Sequence, residues 1–138
     1  MYLRTLSAAT LVVLFVACAS GPESLGDPNL DAGHDIFGRV CAACHGGNGT
    51  GASAPALTSV LETFPDCDTH RQWVTLGSQR WQEEVDTVYG APGREITAVM
   101  PSFDAILSDE EIQQVASFER FQFGGGEMAA VLEDCGLG

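Results

Sequence analysis

Cys41-Ala42-Ala43-Cys44-His45 places two sulfurs and an imidazole within five residues, and no other stretch restricts this chain so tightly. Gly33, Phe37, Val40, Cys41 and Cys44 recur at helical spacing, which predicts a helix from about Asp31 into the motif. Helical positions three and four apart share a face, so Cys41, Cys44 and His45 would project from one side of one turn. Three chemistries use such groups. A zinc site needs four ligands, and a second Cys or His pair is missing; Cys67, His70 and Cys135 could be recruited only at irregular spacing. A thioredoxin-like redox pair needs a β-α-β context, and none surrounds this motif. Covalent haem attachment needs two thiols spaced for two vinyl groups and an adjacent imidazole for the iron. C-x-x-C-H supplies that set and nothing more, so haem is the adopted reading.

The segment ahead of the motif reads as export machinery. Met1-Tyr2-Leu3-Arg4 is a short basic start, and Leu6 to Ala17 is apolar but too short to span a bilayer comfortably. Residues 1–17 are therefore expected to be an export signal, and residues 18–29 a flexible tether. Two cleavage patterns compete. Ala17-Cys18-Ala19 fits an A-x-A site with Ser20 as the new first residue. Phe15-Val16-Ala17-Cys18 resembles a bacterial lipoprotein signal, with Phe15 where Leu, Val or Ile is usual. The lipoprotein pattern is preferred; it makes Cys18 the lipid-carrying residue, and two or more acyl chains would hold the chain on a membrane. The expected location is the periplasm or the outer face of the cell membrane.

Export bears on the other cysteines. The chain has five: Cys18, Cys41, Cys44, Cys67 and Cys135. In an oxidising compartment unpaired thiols are uncommon. With Cys18 lipidated or lost and Cys41 and Cys44 in the motif, the simplest pairing joins Cys67 to Cys135. It would tie back residues 127–138, which follow Gly124-Gly125-Gly126.

Charge limits the partners. Six basic residues, all Arg, face nineteen acidic ones, for a net charge of −13. Nucleic acid is excluded, because phosphate binding needs a basic surface. A protein partner should present a basic docking surface.

Haem iron also wants a ligand on its other face. Met100 lies in a loop, and Pro101 stops any helix there. The rivals are His34, His70 and Met128. His70 is the serious one, because Cys67 to Gly77 is predicted to be helical. Downstream, Ser108-Asp109-Glu110-Glu111 is a capping box. Ile112, Val115, Phe118 and Phe121 form an apolar stripe behind it, and Gly124 ends the helix.

With those residues in place, the chain resembles a class I monohaem c-type cytochrome over roughly residues 30–124. Gly33, Phe37, Cys41 to His45, Pro55-Ala56-Leu57, Met100-Pro101 and Phe118 match the family's pattern in order. The resemblance implies an all-α, small cytochrome c fold, with three or more helices wrapped around one covalently bound haem c, over residues 30–126. It implies thioether bonds from Cys41 and Cys44, and His45 as the proximal iron ligand. It also implies Pro55 as the carbonyl that holds the His45 tautomer, Met100 as the distal ligand, and Gly33 as the contact that brings the first helix close to the last near Phe118. The expected function is one-electron transfer between membrane respiratory or redox complexes, with no small-molecule substrate. The alternatives are a haem c subunit of a multi-subunit oxidase or dehydrogenase, and a haem sensor or peroxidase with an open sixth site. Trp73, Trp81, Tyr89, Arg80 and Arg94 remain unassigned candidates for the haem propionates.

Overall fold

The computed structural model describes residues 24–138. Residues 1–17, expected to be an export signal, and Cys18 lie outside the described residues. Among those described, no helix is long and apolar enough to cross a membrane.

Helix α1 (Pro28–Ile36) starts earlier than the periodicity predicted. The Asp27 carboxylate accepts from the backbone N–H groups of Asn29 and Leu30, and Pro28 takes the first helical position, where no N–H is needed. Asp31 in turn accepts from the Ser24 hydroxyl and the Leu25 N–H, each at 2.6 Å. Leu25 packs on the core. Residues 24–29, expected to be tether, are therefore fastened to the folded unit, because the Asp27 and Asp31 carboxylates satisfy the backbone that a tether would leave to water.

After Ile36 the backbone widens into a π turn (Phe37–Cys41) and tightens again as α2 (Ala42–His45). The extra residue in that turn rotates the motif relative to an ideal helix. Cys41 faces inward and is buried, whereas Cys44 is exposed.

Helix α5 (Asp109–Gln122) carries the complete capping box between Ser108 and Glu111. It crosses α1 at Gly33, where an added Cβ would stand 2.7 Å from Phe118 Cβ and against the carbonyl of Gln114. Ile36, Phe37, Ile112, Val115 and Phe118 fill this crossing and are almost wholly buried. Short helix α3 (Val60–Thr63) and long helix α4 (Cys67–Glu84) build a second apolar cluster from Val60, Phe64, Trp73, Leu76 and Trp81.

Two features depart from a purely helical expectation. A two-stranded hairpin, β1 (Val88–Tyr89) against β2 (Arg94–Glu95), follows α4. The Trp81 indole N–H donates to Val88 O at 2.8 Å and fixes the hairpin to the helix. Residues 127–138, expected only as a tail, contain helix α6 (Met128–Asp134). Val131 packs there with Ala116 and a Cys67–Cys135 disulfide. The Arg120 guanidinium donates to the carbonyls of Phe64 and Pro65 and to Asp134, which also accepts from Cys67 N–H. This charge-assisted network joins α4, α5 and α6.

Candidate cofactor site

One wall of the site is the end of α2 and the glycine-rich loop after it. The Gly51 N–H donates to His45 O at 2.8 Å and the Ala54 N–H donates to Cys44 O at 3.0 Å, so the loop folds back over the motif. Gly46, Gly49 and Gly51 all take positive φ, which lets a short loop reverse twice. The reversal brings Pro55 O to 2.9 Å from His45 Nδ1. Donation from Nδ1–H to that carbonyl fixes the neutral ring as the tautomer whose Nε2 is the free, electron-donating nitrogen.

Met100 lines the same cleft from a different segment, and its placement depends on a kink in α4. Gly77 sits inside that helix at φ 65° and ψ 179°, a conformation essentially reserved for glycine. The kink frees a set of backbone groups that hold the Met100 segment. Ser78 N–H donates to Met100 O at 2.9 Å, and Met100 N–H donates to Ser78 Oγ at 3.0 Å. Ser102 Oγ donates to Leu76 O at 2.6 Å.

Between these segments lies a cleft that is partly open to solvent. Cys41, Cys44, His45 and Met100 all line it, together with apolar side chains such as Val40, Leu57, Val74 and Phe103. Among the described residues the only cluster of three potential ligand groups within 4.8 Å of one another is Cys67, Asp134 and Cys135, whose two sulfurs are already bonded to each other. The two thiols and the imidazole of the motif are thus spread along a surface rather than converged on a point. That donor set, in a largely apolar cleft that a thioether also lines, fits a flat macrocycle and does not fit a tetrahedral zinc site.

The remaining predicted residues are placed as follows. His70 lines the cleft, but its Nε2 stands 3.1 Å from a Glu119 carboxylate oxygen. The rings of His34 and Phe118 lie 5.2 Å apart at the α1–α5 crossing, away from the cleft lining. Met128 lies on α6 and does not line the cleft. Arg80 is paired with Asp104 and Glu84, whereas Arg94 lines the cleft. Trp73 lines the cleft and stacks on Tyr89 at 4.5 Å.

Sequence reasoning missed two site features. Gly77 was a glycine inside a helical stretch, a signal for close backbone approach. Glu119 follows Val115 by four and Ile112 by seven, so a carboxylate stands on the apolar stripe of α5. Burial, and then the negative charge and hydrogen bond of Glu119, hold the Cys41 thiol far above the ordinary thiol range.

Residues 28–118 match the family described as cytochrome c oxidase, cbb3-type, subunit III. This chain belongs to that family. The matched span runs from the first residue of α1 to Phe118 and so takes in both of these segments. The cytochrome is also 35% identical over 120 residues to the cbb3-type cytochrome c oxidase subunit CcoP of Cereibacter sphaeroides. That alignment takes in 84% of this chain, which spans about a third (34%) of the length of the relative. The chain is a c-type cytochrome domain and an electron-transfer protein, and haem c is the cofactor its family implies.

Proposed function

We propose that this cytochrome carries one haem c, bonded through Cys41 and Cys44, and relays single electrons as a component or close partner of a membrane oxidase. The observation that supports the reading is the shared cleft: His45, with Nδ1 turned to Pro55 O, and Met100 both line it, together with Cys41 and Cys44. Haem supplies one-electron chemistry through its iron(III)/iron(II) couple. The chain's own residues do the rest. Cys41 and Cys44 would hold the ring in one orientation, and His45 would offer Nε2 to the iron. The Met100 thioether would serve as the second ligand, which would raise the potential and leave no vacancy for O₂ or peroxide. His70 is the weaker candidate for that position, because Glu119 already occupies its Nε2.

The oxidase-linked reading is favoured over a freely diffusing carrier by the family match and by the likeness to CcoP. Lipidation at Cys18 would keep the domain on the outer face of the membrane, within reach of such a complex. A basic docking surface on the partner would complement a chain of net charge −13. Purification from membranes at high salt tests the choice. Recovery of the cytochrome with a cbb3-type oxidase supports a complex component, and release as a lone monomer supports a carrier. Replacing Cys18 by Ser should move the protein from the membrane to the soluble fraction; retention on the membrane would remove the lipid anchor.

A further inference from the structure

Glu119 and His70 are two titratable side chains that haem ligation does not use, and both line the haem cleft. They come from different helices, α5 and α4, and their side chains are only 5% and 2% exposed. Glu119 Oε2 stands 3.1 Å from His70 Nε2. His70 Nδ1 is buried without a hydrogen-bond partner, and Phe64 stacks on the ring at 5.0 Å.

We propose that this pair is a proton site coupled to the haem. It takes one proton from water when the adjoining haem gains an electron from its redox donor, and returns it on oxidation. The proposal rests on the haem reading above.

The surroundings leave Glu119 few other partners. From the π turn, the Cys41 thiol contacts its carboxylate. A thioether has no S–H, so haem attachment leaves His70 as the remaining donor among these groups. Arg120 is adjacent in sequence, but its guanidinium is spent on Phe64 O, Pro65 O and Asp134 of α6. His45 and Arg94 share the cleft lining, where Pro55 holds the His45 ring. On α1 and the π turn, Asp31 is held by Ser24 and Leu25, His34 lies against Phe118, Asp35 lies beside Glu111 and Gln114 of α5, and Arg39 pairs with Glu111.

Binding of one proton changes the charge of the pair by one. The haem centre also changes by one charge on reduction. In a water-poor interior these changes interact several-fold more strongly than in water. Coupling of this kind is reciprocal: electron uptake raises proton affinity, and proton uptake raises the potential. A single linked proton shifts a one-electron couple by at most about 59 mV per tenfold change in proton concentration.

The test uses the mature holoprotein, with midpoint potentials measured optically between about pH 5 and 8, the range in which an ordinary imidazole changes charge. The wild type should fall in potential as pH rises, over a window bounded by the pair's proton affinities in the two redox states. Glu119→Gln keeps the shape of the side chain and should lose that slope while keeping one haem per chain. A Gln variant with the wild-type slope, or a loaded wild type with a flat profile, would overturn the proton site but leave the haem reading intact. Purified protein without haem would overturn both. In redox-difference infrared spectra, a carboxyl band that changes on reduction in the wild type should be missing from the Glu119→Gln variant, and identical difference spectra contradict the coupling.

Discussion

The carbonyl oxygen of Met100 lies 2.5 Å from where a Cβ on Gly77 would stand. A side chain at position 77 would also strike the Pro101 carbonyl. The kink in α4 is therefore the seat of the Met100 segment, and the two cannot be altered independently.

Gly77→Ala should then act on both stability and ligation. The backbone conformation alone costs about 1–3 kcal/mol for a residue with a Cβ, and the contact with Met100 adds to it. The variant should melt at lower temperature and lose part of the far-red sulfur-to-iron absorption. Unchanged melting and an unchanged band would show that the kink does not position Met100.

Met100→Ala should open the sixth position without removing the haem. The reduced variant should bind carbon monoxide rapidly, lose the far-red band and fall in potential. Stopped-flow mixing with carbon monoxide checks this. If the wild type already binds carbon monoxide at the variant's rate, Met100 is not the ligand.

Replacing Cys67 and Cys135 together by Ala should loosen α6 and leave the haem in place. Their sequence separation is 68 residues. Closing a loop that long contributes about 4 kcal/mol by the loop-entropy argument. Denaturant unfolding should show a loss of that order, with the oxidised optical spectrum retained.

Acid should weaken the helix starts. The Thr69 backbone bond holds Asp66 below the usual carboxylate range. The Ser108 N–H does the same for Glu111, and Ser24 with Leu25 for Asp31. Folded values below the unfolded ones mean that this stability is complete above about pH 4, the unfolded range, and is lost as pH falls through the folded values. Melting temperature should be level near neutrality and drop below about pH 4. Asp66→Asn, which keeps a capping oxygen, should make the drop shallower.

The parts of the site legible in the sequence were those encoded by local spacing. C-x-x-C-H, the Ser108–Glu111 capping box and the Met100-Pro101 break are all read from residues within five positions of one another. The hidden parts depend on distant pairs. Nothing near Gly77 announces that it must admit the backbone of Met100, 23 positions on, and nothing near His70 names Glu119. The early start of α1 was hidden for a different reason: Gly26-Asp27-Pro28 reads as a turn and serves as a cap. The π turn at Phe37–Cys41 has no period of its own, so apolar spacing predicted a plain helix through Cys41.

Intact-protein mass spectrometry joined to oxidised and reduced optical spectra, on the mature protein purified from cells that attach haem c, tests the central claim most directly. The account predicts a mass increased by a single haem that survives acid denaturation, no free thiol at Cys41 or Cys44, and reduced bands of c type. An unmodified polypeptide mass, with both thiols open to alkylation and no haem absorbance, would contradict it.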